Sequence, residues 1–105
     1  MTIEELKKLG WNSVGCWNNR DFYSFSEKSK FSIFEHNGEY GIQDPYKNDL
    51  NLIYCNMSDD EIINFTDLVK LCEDIWTKPK EYTFFQFLET EKNIRSFVKE
   101  MKEKE

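Results

Sequence analysis

Apolar positions along this chain change period twice. From Val14 to Cys55 aromatic and β-branched residues alternate with polar ones, the period of a strand with one buried face. From Ser58 onward apolar residues recur every three or four positions, the period of a helix packed on one side. A short helical segment precedes both. Thr2-Ile3-Glu4-Glu5 reads as a capping box, and Gly10 after Leu9 reads as a stop at the C′ position, so the pattern predicts a helix over 3–9. Trp11 then falls at C″, where it can fold back onto Leu6. A helix this short is marginal alone and must dock on something.

In the alternating region, Arg20–Phe25, Phe31–His36, Glu39–Gln43 and Leu50–Cys55 are expected as four strands, with Val14–Trp17 as a fifth short one. Asn37-Gly38 is the strongest local signal, because both central residues of a type I′ hairpin need positive φ. That turn fixes a register: His36 opposite Glu39, Glu35 opposite Tyr40, Phe34 opposite Gly41 and Ile33 opposite Ile42. An aromatic would thus cover a bare backbone at Phe34–Gly41. The heptad Gly38-Glu39-Tyr40-Gly41-Ile42-Gln43-Asp44 resembles one unit of the WG-type repeat, in a single copy that implies no function.

Ser58-Asp59-Asp60-Glu61 and Thr83-Phe84-Phe85-Gln86 are two further capping boxes. They predict helices over about 59–76, stopped before Pro79, and about 84–102. On a wheel of about 100° per residue, Ile62, Phe65, Leu68, Val69, Leu71, Cys72, Ile75 and Trp76 fill one half of the first. Phe65, Leu68, Val69, Cys72 and Trp76 are expected to be buried. Phe87, Ile94, Phe97, Val98 and Met101 line one side of the second. The order α-β-β-β-β-α-α predicts an α+β fold: an antiparallel β-meander of about four strands packed by two C-terminal helices, with a short N-terminal helix. The 105 residues suit a single domain spanning 1–105.

Composition narrows the function. Fourteen basic residues stand against twenty acidic ones, a formal charge of −6. A phosphate-binding surface is built from Lys and Arg, so nucleic acid is disfavoured as a partner. No apolar run approaches the length of a membrane span, so no membrane partner is expected. The first residues lack the apolar region of a signal peptide. Three cysteines, an odd number, then suit a reducing, cytoplasmic compartment. Alanine is absent and basic charge comes from twelve Lys against two Arg. With many Asn and Ile, this composition suits an AT-rich genome, such as that of a low-GC bacterium, its phage or its plasmid.

Candidate chemistry is thin. Nucleophilic catalysis would have to pair Cys16 or Cys55 with the single histidine, His36. A zinc site would need that histidine and all three scattered cysteines. Glu100-Met101-Lys102 has a nuclease-like spacing within a charged helical tail. No cofactor, metal site or catalytic residue is expected, and a small cysteine-dependent enzyme is the weakest of three readings. The second is a single-stranded nucleic-acid-binding module using Trp11, Trp17, Arg20, Phe22, Tyr23, Lys28 and Lys30. The first rests on the helix over 59–76, whose six acids against Lys70 give it a charge of −5. Asp60, Asp67 and Asp74 recur every seventh residue along one outer edge, about 10 Å apart. Ile63 is the apolar residue on that polar side. These four residues are the expected contact with a basic protein partner. By size and composition the chain resembles the small acidic proteins of phages and mobile elements that block a host groove meant for phosphate, an inhibitory, anti-defence role of nucleic-acid mimicry.

Overall fold

Asn37 and Gly38 adopt positive φ of 54° and 80°, and the hairpin they close sets the sheet. Strands β3 (Ile33–His36) and β4 (Glu39–Gln43) pair antiparallel in the register the turn dictates, Ile33 to Ile42 through His36 to Glu39. The computed structural model describes all residues from 1 to 105. Asn18 and Asn19, with φ of 53° and 65°, play the same part between β1 (Asn12–Trp17) and β2 (Arg20–Ser24). A two-residue β5 (Leu52–Ile53) completes a five-stranded sheet in the order β1-β2-β3-β4-β5, every neighbour antiparallel. The meander thus has five strands, the first longer than expected and the last much shorter.

Three helices accompany it: α1 (Ile3–Lys8), α2 (Asp59–Thr77) and α3 (Phe84–Lys104). Ser58–Glu61 and Thr83–Gln86 both form reciprocal capping boxes. At Thr2 the box is half made: its hydroxyl accepts from the Glu5 N–H, while the Glu5 carboxylate turns to that hydroxyl. After α1, Gly10 sits at φ 110° and the Trp11 N–H bonds back to the Leu6 carbonyl at 3.4 Å, the expected stop. Pro79–Glu81 form one turn of 3-10 helix between α2 and α3.

One face of the sheet carries Tyr23, Ile33, Ile42 and Ile53 into the core. Against them α2 sets Ile62, Phe65, Val69 and Cys72, and α3 sets Ile94, Phe97, Val98 and Met101. Phe65 is the hub. It stacks on Phe97 at 5.1 Å and Trp11 at 5.6 Å and meets the edge of Phe31. Trp11 is fully buried, and its indole N–H donates to the Thr66 hydroxyl at 2.9 Å. That bond makes Thr66 an inward-facing residue, which an apolar wheel passes over.

The expected inward face needs three corrections. Leu68 is only partly buried. Leu71, at the margin of the apolar half, is exposed. Trp76 has the right helical angle yet is 48% exposed. A helix the length of α2 runs to about 28 Å, whereas strands of four to six residues cover roughly 13–20 Å. The helix outruns the strands, and in its last turn Ile75 stays buried while Trp76 is left outside the core beside the Lys30 ammonium. On the other sheet face, Phe34 lies over Gly41 as the register requires. A β-carbon at Gly41 would come within 2.5 Å of the Phe34 ring and 2.4 Å of the Ile53 carbonyl.

Candidate interaction surfaces

The outer side of α2 presents Asp60, Ile63 and Asp67 to solvent, Ile63 being 44% exposed. Asp60, Asp67 and the neighbouring Glu73 form no ion pair. Asp74 differs. The Tyr82 hydroxyl donates to it and the Lys78 ammonium lies 3.5 Å away. Those contacts, the Tyr82 bond first, hold its carboxyl below the usual range. Glu61 is also engaged, accepting from the Ser58 N–H and pairing with Lys104 at 2.5 Å. Asp59 pairs with the N-terminal ammonium at 2.8 Å, so the helix is less acidic at its surface than its composition suggests, and its unpaired acids are Asp60, Asp67 and Glu73.

The cysteine chemistry is scattered. Cys16 and Asp21 are cross-strand partners, and Asp21 pairs in turn with Glu35. His36 is the next residue along β3, so it projects from the opposite face. Its ring instead contacts the Asn37 amide at 3.3 Å and the edge of Tyr54. The Cys16 thiol is pushed up, chiefly by its hydrogen bond to Asp21, which is the wrong direction for a nucleophile. Burial pushes Cys55 and Cys72 to about 11. No three His, Cys, Asp or Glu side chains converge as a metal site would require.

The aromatic and basic residues of the N-terminal half divide into three groups. Trp11 and Tyr23 are core. Trp17, Arg20 and Phe22 reach the sheet face away from the helices, where the Arg20 guanidinium lies 5.3 Å from the Tyr54 ring. A shallow groove of about 420 Å³ runs there past Val14, Trp17, Phe22 and Leu50. Lys30 goes elsewhere. Its ammonium sits 4.7 Å from Trp76, 5.0 Å from Tyr46 and 5.3 Å from Phe31, a three-ring cage filled by the chain's own lysine. Arg95 covers Tyr46 at 4.1 Å. Lys28 stays exposed in the loop.

A further surface lies where α2 and α3 meet. Phe84 and Phe85 are 74% and 77% exposed, and Leu88 and Trp76 about half. Trp76, Pro79, Tyr82, Phe84 and Phe87 line one open groove of about 610 Å³. Phe85 and Leu88 line a second with Glu89 and Lys92. The capping box at Thr83 marks where α3 starts but not which of its first residues find a neighbour. The sequence pattern places Phe84 and Phe85 only inside the capping box and puts Phe87 on the apolar side of α3. Their signal is helical phase: Phe84 and Phe85 lie outside the stripe of Thr90, Ile94, Phe97, Val98 and Met101 that α3 buries.

No helix is long and apolar enough to cross a membrane. No protein-family model matches the chain, and no curated protein or solved structure is significantly similar to it.

Proposed function

We propose that this chain is a small non-enzymatic protein-binding module of the cytoplasm that docks on a basic surface of another protein. The observation that carries the reading is the outer face of α2. Asp60 and Asp67 stand exposed and unpaired, about two turns and 10 Å apart, beside half-exposed Ile63. Unpaired carboxylates steer a cationic surface into encounter, and a central aliphatic side chain slows its departure. Such a partner is a nucleic-acid-binding protein of the host, whose phosphate groove the acidic face occupies as an inhibitor. Asp74 adds least, because Lys78 and Tyr82 already satisfy it.

The test uses the tagged chain to capture partners from the native host, then compares variants on the captured protein. Asp60→Asn with Asp67→Asn should slow association and flatten its salt dependence. Ile63→Ala should mainly raise the dissociation rate. Exposed substitutions of this kind change stability by about 0.5 kcal/mol or less each, so both variants should melt as the parent does. A captured partner whose rates neither variant alters refutes the reading.

A second reading, single-stranded nucleic acid on the sheet face, draws on Trp17 and on Arg20 laid over Tyr54. It predicts that Trp17→Ala abolishes binding to a labelled oligonucleotide, whereas the aspartate variants strengthen it.

A further inference from the structure

We propose that the tip formed by Trp76, Phe84, Phe85 and Leu88 is the surface through which two copies of this chain associate. The proposal is independent of the docking face on α2, which occupies that helix's other end.

The apolar content comes first. These four side chains expose on the order of 500 Å² around the junction of α2 and α3, comparable in area to the largest patch a monomer usually leaves in water. Leu88 lies one turn from both Phe84 and Phe85, and Trp76 faces Phe84 across the groove between α2 and α3. The patch is also rigid. Thr83 caps α3 through the Gln86 N–H, which fixes Phe84 and Phe85 in the first helical turn, and Phe84 stacks on Phe87 at 6.4 Å. Little conformational entropy remains to be lost on docking.

Charge then selects the occupant. Between Trp76 and Lys92 three lysines balance three glutamates, so the whole formal charge of −6 lies outside this segment. Two copies approaching through the outer face of α2 would set Asp60 and Asp67 of one against those of the other. At the tip they meet without net repulsion, and under a two-fold axis each rim offers its lysines to the other's glutamates. Neither a strongly basic nor a strongly acidic partner gains from such a rim. An anionic membrane would repel the rest of the chain. A two-fold contact that buries both patches removes about 1,000 Å² of apolar surface, at the lower end of specific interfaces. That area suits a weak, reversible dimer rather than an obligate one.

Sedimentation equilibrium of the full chain over about 1–500 μM reads this directly, since a weak dimer populates as concentration rises. The weight-average mass should rise from that of one chain toward that of two. Raising salt should change the association little, because the contact is apolar and its rim carries no net charge. Docking of α2 on a basic partner weakens as salt rises, so the two ideas fail separately. Phe84→Asp with Phe85→Asp should hold the chain monomeric throughout. On the unaltered chain, amide shifts that change on dilution should cluster in residues 76–92. A parent that stays monomeric at the highest concentration overturns the proposal. So does a dimer that survives the double substitution in a variant with the parent's melt, or dilution shifts that fall on the sheet. Retention of a solution monomer on phosphatidylcholine vesicles overturns it as well, and makes the tip a lipid-contacting surface.

Discussion

Thr66→Val isolates the one polar bond at the centre of the core. Trp11 and Thr66 are 0% and 1% exposed, and the indole N–H reaches the Thr66 hydroxyl at 2.9 Å. That hydroxyl donates onward to the Ile62 carbonyl at 2.6 Å. Valine has nearly the volume and helix propensity of threonine, so the substitution opens no cavity and leaves α2 intact. It removes the acceptor and strands a buried N–H. An unsatisfied buried donor costs about 1–3 kcal/mol, a large share of a domain's total of about 5–15 kcal/mol. For a chain of about this length the melting temperature should fall by roughly 5–20 °C. Urea and thermal unfolding followed by far-ultraviolet circular dichroism measure both quantities. The decisive control is Trp11→Phe, which has no N–H to strand. In that background Thr66→Val should cost no more than about 0.5 kcal/mol. An equal penalty in both backgrounds, or a parent-like melt of Thr66→Val alone, refutes the assignment of the bond as a stabilising contact.

Two further outcomes follow from titratable groups. Asp44 has a fully buried side chain; burial raises its pKa, but the Lys102 ammonium at 2.6 Å and the Tyr46 N–H at 2.9 Å outweigh that and leave it lowered. A depressed carboxyl pKa stabilises the fold above the unfolded value near 4, and the gain is lost as pH falls through the folded value. Asp44→Asn should therefore cost about 1–2 kcal/mol at pH 7, allowing for the part-exposed lysine, and should flatten the decline of stability below pH about 4. Parallel urea midpoints from neutral to acidic pH check this, and identical slopes refute it. Cys16 is the exposed thiol, held up by Asp21, so one equivalent of iodoacetamide should react slowly with the native chain. Asp21→Asn should speed that reaction several-fold, while Cys55 and Cys72 react only after unfolding; an unchanged rate would deny the hydrogen bond its role.

The fold was legible where one residue type answers one geometric demand. Asn37-Gly38 specified four cross-strand pairs, including Phe34 over Gly41, and the boxes at Ser58 and Thr83 marked two helix starts. Asn18-Asn19 carries the same information for β1 and β2, but two asparagines lack the glycine that makes such a turn conspicuous. Residues whose environment is set by distant chain were harder to place. Trp76 has the correct angle on α2 yet lies outside the core under Lys30, which a wheel cannot show because it discards length along the axis. Thr66 is polar, so its burial depends on an indole fifty-five residues away. The candidate surfaces divide in the same way. Exposure of Asp60, Ile63 and Asp67 follows from helical phase. The capture of Asp74 depends on where Tyr82 lands, and the bare aromatics at the tip on where α3 crosses α2.

The strictly sequential strand order bears on how the molecule comes to be made. Every strand pairs with its neighbour in the chain, so each hairpin closes a short loop and can form while later residues are still being synthesised. The inner face of that sheet is another matter. Tyr23, Ile33, Ile42 and Ile53 are covered by α2 and α3, and Leu6 and Trp11 rest in the same core. Until the ribosome has released the chain well past Phe97, a nascent sheet displays a greasy surface and two open edges. The bulge between Ser13 and Gly15 distorts one edge, and the two-residue length of β5 shortens the other. Both devices deny a stray strand a straight template, so the irregularities at the sheet's margins guard the newborn chain as well as the finished fold, whose two edges stay open.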